Sequence, residues 1–301
     1  MAAAQGLVFG MLGKSLDDGN FVEAWQGCDD EAKLYGDRCV HLGSNGPAHP
    51  RLQKQAIEEA LKSRQFQALA ISVTSSKFIA TALQSASIPI FTFDSPFALP
   101  ELQYSRAYIG TDNLAFGRSL ARIARQLRPG GGSLCIITAA HDPNLAERVY
   151  GVRRELSGNS QLPPGRPLAG QGGWVEHRRC PWNAADSIEQ TMTGLTLMLY
   201  ELRPDVMISV GHWPVLDPAQ YRKMVSPFRP QFASLQRIMI VGVGKLTPQQ
   251  TALQQDKLVH GYVSIDFARM GRQSYQVMKA ALEGRPYPPV SYTPNLLLPA
   301  P

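Results

Sequence analysis

Pro89-Ile-Phe-Thr-Phe-Asp-Ser95, followed after a proline-marked connection by Ala107-Tyr-Ile-Gly-Thr-Asp-Asn113, decides how this chain is read. The first half is a short apolar run closing on a carboxylate. That is the pattern of a buried parallel strand whose polar residues emerge at its carboxyl end. In an open α/β sheet ligands sit at that edge, so Asp94 and Ser95 are predicted to face one. The second half reads as another short strand, and a fresh helical pattern starts directly after it at Leu114. At 107–113 the chain is expected to leave one lobe for another.

Working outward, Leu7 to Leu12, Cys39 to Gly43 and Ala68 to Ser72 read as strands. Phe21 to Leu34, Pro50 to Ser63 and Ser76 to Ala86 read as helices, with apolar residues at three- and four-residue spacing. Beyond 113 the alternation repeats. Helices are predicted over 114–127, 144–156 and 184–202, and strands over 134–138, 174–179, 206–210, 238–243 and 261–265. A helix over 267–282 is expected to return to the first lobe, and 288–298 reads as an extended end. Alternating β and α units imply parallel sheets with helices on both faces. The expected lobes are 1–112 with 266–288, and 113–265 with 289–301.

With 301 residues, 44% of them hydrophobic and 18% charged, the chain suits two domains of ordinary size. It has no run near the roughly 18 apolar residues of a membrane span. The net charge of +6 is modest. The tightest basic group, Arg118, Arg122, Arg125 and Arg128, recurs at helical spacing and reads as a solvated face, so no nucleic-acid partner is expected. Gly130-Gly-Gly132 precedes a strand and lacks a Gly-Lys-Ser/Thr ending, which excludes a phosphate loop. With no Cys-x-x-Cys or His-x-x-x-His spacing, no metal and no cofactor are expected. The opening Met1-Ala-Ala-Ala-Gln5 carries no basic stretch followed by an apolar run, so a secretion leader is expected to have been removed or replaced.

Cys28 and Cys39 flank a helix end and the next strand, while Cys135 lies in one strand and Cys180 ends another. Each pair falls on neighbouring elements of one lobe. Two intralobe disulfides are therefore geometrically reasonable and would imply an oxidising compartment such as the periplasm. Four reduced, buried thiols are the alternative, which Cys135 in an apolar strand would suit.

If the strands are parallel, the loops at their carboxyl ends converge on a cleft. They carry Asp17, Asp18, Asn20 and Phe21, then Asp94 and Ser95. The second lobe adds His141, Asp142, Asn144 and Arg148, then Trp182 with Asn183, and His212 with Trp213. Carboxylates, amides, an arginine and aromatic faces suit a polyhydroxylated ring: planar groups take paired hydroxyls and aromatic faces cover C–H surfaces.

Nearly the whole chain resembles the type I periplasmic binding proteins, in their ribose- and sugar-binding branch. The resemblance rests on Gly19-Asn-Phe-Val22 with Gly27, Ala68-Leu-Ala-Ile-Ser72, Ile88-Pro-Ile-Phe-Thr-Phe-Asp94, Tyr108-Ile-Gly-Thr-Asp-Asn113 with Gly117, Glu147-Arg-Val-Tyr-Gly151, Ile240-Val-Gly242 and Gly261-Tyr-Val263. It implies two Rossmann-like lobes joined by a three-strand hinge, with a ligand trapped in the cleft between them and no chemistry. It implies that Phe21 stacks on a sugar, that Asp94 and Arg148 hydrogen-bond its hydroxyls, and that Trp182 covers its other side. The chain departs from the family where Gly211-His212 replaces Asn-Asp, where Gly242-Val-Gly244 replaces a Gly-Phe-Asp type ending, and at Ile265, where a polar residue is common. A less polar, aromatic or nitrogen-containing ligand is the alternative these changes raise.

The expected function is capture of a small sugar-like ligand, a pentose, hexose or polyol, by a periplasmic monomer that delivers it to a membrane permease of the ABC type. The alternative is a sensing domain, or a binding protein reporting to a membrane receptor or sensor kinase. A repressor of this fold needs a helix-turn-helix ahead of the first strand, and none is legible. An enzyme needs a nucleophile oriented by a base, and Asp94 and His212 do not form such a pair.

Overall fold

The computed structural model describes residues 6–139, 142–185 and 187–299. The chain begins with β1 (Val8–Leu12), α1 (Gly19–Lys33), β2 (Arg38–Leu42), α2 (Pro50–Ser63), β3 (Ala68–Ile71), α3 (Ser76–Leu83), β4 (Ile90–Phe93) and β5 (Tyr108–Thr111). Next come α4 (Asn113–Leu127), β6 (Gly132–Thr138), α5 (Pro143–Ser157), β7 (Trp174–Glu176), β8 (Trp182–Asn183) and α6 (Ile188–Leu197). They are followed by β9 (Val206–Ser209), α7 (Pro218–Val225), α8 (Arg229–Ala233), β10 (Ile238–Val243), α9 (Pro248–Gln255) and β11 (Gly261–Ile265). The chain closes with α10 (Phe267–Leu282), β12 (Val290–Thr293) and β13 (Asn295–Pro299).

These elements form two compact units, Met1–Thr111 with Asp266–Pro294, and Asp112–Ile265 with Asn295–Pro301. The first holds a sheet of order β12-β5-β4-β3-β1-β2, every pair parallel. The second holds β13-β11-β10-β9-β6-β7, with β8 also on β6. All its pairs are parallel except β13, which runs antiparallel to β11. The strands read as apolar runs because helices cover both faces of such sheets: β3, β4 and β10 are buried at every position.

The final segment differs from expectation. Residues 289–301 do not stay together: β12 pairs with β5 in the first unit, and only β13 joins the second. The expected strand over 174–179 stops at Glu176, and Trp182–Asn183 forms its own short strand ahead of a helix starting at Ile188. Helices α7, α8 and α9 stand where no element is predicted. α9 carries few apolar positions and α7 is only eight residues long, but each opens on a capping residue followed by proline, Asp217-Pro218 and Thr247-Pro248.

In each unit two helices approach so closely that only glycine fits. A Cβ on Gly27 would overlap the Ala268 carbonyl of α10, and one on Gly271 the Ala24 carbonyl of α1. In the second unit Gly117 of α4 abuts the Arg148 carbonyl, and Gly151 of α5 abuts that of Leu114. The arginines of α4 form an ion network: Arg118, Arg122 and Arg125 reach Glu155 at 2.9, 3.5 and 3.5 Å, and Arg128 pairs with Asp205 at 3.2 Å. The first unit is tied by Asp37, which accepts from Leu7 N, Tyr275 OH and Lys279 Nζ. Burial opposes ionisation of Asp37, but these donors, Lys279 foremost, outweigh it and hold its carboxyl below the usual range.

Both disulfides are present, Cys28–Cys39 within the first unit and Cys135–Cys180 within the second, with Cα separations of 5.9 and 5.3 Å. The second unit also buries a bidentate ion pair, Arg153 with Glu176, at 2.9 and 2.6 Å and side-chain exposures of 5% and 0%. Removing one partner strands a charge away from water. Glu176→Ala should therefore cost about 3–5 kcal/mol in urea unfolding, whereas a surface truncation such as Glu201→Ala should cost under about 1 kcal/mol.

His260 supplies a pH dependence. Its Nδ1 accepts from Met239 N at 3.1 Å, which leaves Nε2 to donate to the Phe232 carbonyl at 3.0 Å, so the ring is neutral. Burial holds this imidazole below its ordinary range, and burial does the same for His41. The unfolded chain thus takes up protons that the folded chain refuses. Stability should be fully present above about pH 6.5, the ordinary histidine value, and fall as pH drops below it. Melting midpoints between pH 8 and 5 should show this fall, and His260→Gln should flatten it.

Candidate functional site

At the carboxyl edge of the first sheet, the loop carboxylates Asp17 and Asp18 are already committed to backbone amides. Asp18 caps α1 by accepting from Asn20 N at 2.9 Å, with Asn20 in the first turn, and Asp17 accepts from Gly46 N at 2.6 Å. The second unit repeats the device: Asp112, Asp142 and Asp217 cap α4, α5 and α7. Each satisfies amides that the helix leaves without intrahelical partners.

Asp94 is different. No helix begins at it, and its backbone is left-handed, with φ 57°. This conformation is uncommon for residues other than glycine, and aspartate tolerates it better than most. The turn carries the carboxylate over the end of β3. Its Oδ2 accepts from Ser72 Oγ at 2.7 Å and Ser95 Oγ at 3.4 Å, and lies 3.4 Å from Lys14 Nζ. Tyr108 OH donates to the Asp94 carbonyl at 2.9 Å. The result is a partly buried carboxylate, ammonium and hydroxyl cluster built from the ends of β1, β3 and β4.

Phe21, expected to stack on a ligand, lies in the core at 6% exposure. It meets Phe93 and Phe267 edge-on, with centroids 6.1 and 6.3 Å away. Its ring therefore packs beneath the residue that precedes Asp94. Trp25 stacks flat on His41 and donates to the Cys39 carbonyl at 3.0 Å, a structural role.

In the second unit Asn144 and Arg148 occupy the first turns of α5 and are both 8% exposed. Arg148 Nε donates to Asn113 Oδ1 at 2.8 Å, one Nη donates to the Val210 carbonyl at 3.0 Å, and the guanidinium lies 4.4 Å from the Phe116 ring centroid. It is thus fixed at the carboxyl end of β9. A Cβ on Gly242 would press on that Phe116 ring, which accounts for the glycine in Gly242-Val-Gly244. Trp182 pairs with Ile137 at the carboxyl end of β6, and its Nε1 donates to the Gln190 carbonyl at 3.0 Å. His212 is partly exposed after β9, whereas Trp213 is 5% exposed and folds back over Gly211. Its ring needs the room that glycine leaves, which explains one departure from the family pattern. His141 lies outside the described residues.

The sequence matches the periplasmic binding protein domain over residues 9–286. The chain belongs to that family. Among solved structures it resembles GanP, a glucose-galactose binding protein from Geobacillus stearothermophilus, with 16% identity, 99% of this chain and 98% of that one covered, and a TM-score of 0.76. It also resembles an ABC transporter solute-binding protein from Agrobacterium vitis bound with α-D-tagatopyranose, at 14% identity, 98% and 95% coverage and a TM-score of 0.79. A third, a periplasmic solute-binding protein from Actinobacillus succinogenes with bound D-allose, gives 13% identity, 98% coverage of both chains and a TM-score of 0.78. A comparison with curated proteins returns no match. The shared fold is two lobes, each a largely parallel sheet flanked by helices.

Two residues at the carboxyl edge of the first sheet escape a reading of the sequence. Lys14 sits in the loop after β1 as a lone cation among carboxylates, and only its 3.4 Å approach to Asp94 distinguishes it. Gln53 reads as one polar residue on a helix, yet it is 2% exposed. Its Nε2 donates to the Gly13 and Ser72 carbonyls at 3.2 and 2.7 Å, and its Oε1 accepts from Thr74 N and Oγ1 at 3.0 and 2.7 Å. It braces the loops that carry Lys14 and Ser72. The signal was its place four residues before buried Ile57, on the inner face of α2. Gln53→Leu strands these backbone groups, so urea unfolding should show a loss on the order of 2–3 kcal/mol, well above that of the exposed Gln55→Leu.

Proposed function

We propose that this protein is an extracytoplasmic solute-binding protein that takes up a pentose, hexose or polyol as a monomer, without chemistry, and delivers it to an ABC-type membrane permease. The observation that carries this reading is Asp94. Among the described carboxylates at the carboxyl ends of the first sheet's strands, it is joined not to a helix amide but to side-chain hydroxyls and an ammonium. A carboxylate so held accepts paired sugar hydroxyls, and Lys14 and Ser95 beside it donate to ring or hydroxyl oxygens. In the second unit the fork of Arg148, braced by Asn113 and Val210, serves as the planar donor, with Asn144 beside it. Asp18, Asn20, His212 and Trp213 border these groups in sequence, and Trp182 offers an aromatic surface. Phe21 and Trp213 act mainly through packing.

Family membership supports the reading, as do the sugars named with similar structures, D-arabinose, D-allose and D-fucose among them. The two disulfides fit an oxidising compartment. Among the described residues no helix is long and apolar enough to cross a membrane.

Thermal unfolding against pentoses, hexoses, polyols, amines and aromatic acids tests the proposal. A ligand at 100 times its dissociation constant adds about 2.7 kcal/mol, which shifts the midpoint by several degrees. One or more sugars should produce that shift, and Asp94→Ala should abolish it while leaving the unliganded midpoint within a few degrees. A shift with amines or aromatic acids alone would replace the sugar by a nitrogen-containing ligand. Silence across the panel would favour a sensing domain.

A further inference from the structure

The strand that carries Trp182 is held to its sheet in an unusual way. β7 pairs with Gly132, Ser133 and Leu134 of β6, and β8 pairs with Ile137 and Thr138 of the same strand. Between them the chain leaves the ladder: His177 N still donates to the Leu134 carbonyl at 2.9 Å, and Cys180 N turns back to the His177 carbonyl at 2.8 Å. Cys135 and Ile136 thus have no partner in β7 or β8. The Cys135–Cys180 disulfide spans this gap, with Cys135 fully buried in mid-strand and Cys180 two residues ahead of Trp182.

β8 itself is only two residues long, and Ala184 N adds one further bond to the Thr138 carbonyl at 2.7 Å. So short a ladder specifies register weakly, and a slip of one residue turns every side chain to the opposite face of the sheet. In the observed register the Trp182 indole lies against Gly194, where a Cβ would collide with it, and reaches the Gln190 carbonyl. We propose that Cys135–Cys180 is the register lock of the Trp182 strand, positioning that indole for ligand binding, and that binding is thiol-sensitive through this disulfide and not through Cys28–Cys39. The ligand part rests on the reading given under Proposed function; the register part does not.

Reduction by a dithiol is balanced. Dithiothreitol gives two electrons and two protons and closes to its own cyclic disulfide, while Cys135 and Cys180 become thiols. Cys180, 8% exposed, is the more accessible residue of the pair.

The test compares Cys135→Ala/Cys180→Ala with Cys28→Ala/Cys39→Ala by hydrogen exchange and by affinity for the sugar that gives the largest thermal shift. In the first variant, exchange in peptides covering 180–184 should rise by about tenfold or more while peptides of β9 and β10 keep their protection. The second variant should leave 180–184 unchanged. Unchanged protection of 180–184 in the first variant overturns the proposal, and so does an equal rise across the whole unit, which would make the disulfide a global staple. Should the first variant not fold, treating the Cys28→Ala/Cys39→Ala protein with dithiothreitol opens Cys135–Cys180 alone and gives the same two readings. For affinity, losses from Trp182→Ala and from removing Cys135–Cys180 should not add, because both act through one indole. Additive losses overturn the positioning role. An unchanged affinity in Trp182→Ala removes Trp182 from the ligand site, while the exchange result still decides the register lock.

Discussion

Two helices pressed together until only glycine fits between them are the constraint on which each unit rests. In the second unit the contact of α4 with α5 at Gly117 and Gly151 meets the backbone of Arg148 itself. That proximity sets the guanidinium over Phe116 and within reach of Asn113, both on α4. Phe116 in turn requires glycine at 242 on β10. A helix–helix distance thereby fixes a side chain at the sheet edge, and a larger residue at either notch would move it. The first unit uses the same device at Gly27 and Gly271, where α1 meets α10 under Phe21 and Phe267.

The polar cluster at Asp94 follows a different logic. Carboxylates are common at strand ends because each following helix needs a cap, and Asp18, Asp112 and Asp142 meet that need. Asp94 instead adopts a left-handed turn, a small backbone cost that carries its carboxylate toward Ser72, Ser95 and Lys14. The buried amide of Gln53 then holds the supporting loops from behind.

The strand–helix alternation was legible because a parallel sheet covered on both faces demands apolar runs, and β1, β3, β4, β9, β10 and β11 supply them. Asp94 was legible for the same reason, as the polar residue that ends such a run. The cysteine pairing was legible because each pair falls on neighbouring elements of one lobe. What stayed hidden depended on neighbours distant in sequence. Asp18 and Asp94 look alike until the helix after one and the open turn after the other are seen. Lys14 and Gln53 gain meaning only through residues 80 and 19–40 positions away. The pairing of β13 with β11 depends on the edge of β11 that β10 leaves open. α9 lacked an apolar stripe and α7 has only the short one of Tyr221, Met224 and Val225, although their cap-and-proline starts were in view.

The first unit is assembled from both ends of the chain. Asp37 bonds Tyr275 and Lys279 across 238 and 242 positions, so its closing helix is synthesised long after its strands. Until α10 emerges, the face it covers remains exposed and the unit has no complete core. Contacts of such length are slow to form, because the chain loses the entropy of a large loop before they reward it. The bulk of the second unit, by contrast, lies in one uninterrupted stretch. The parallel strands of the second unit are thus complete in the chain before the helix that closes the first has been made.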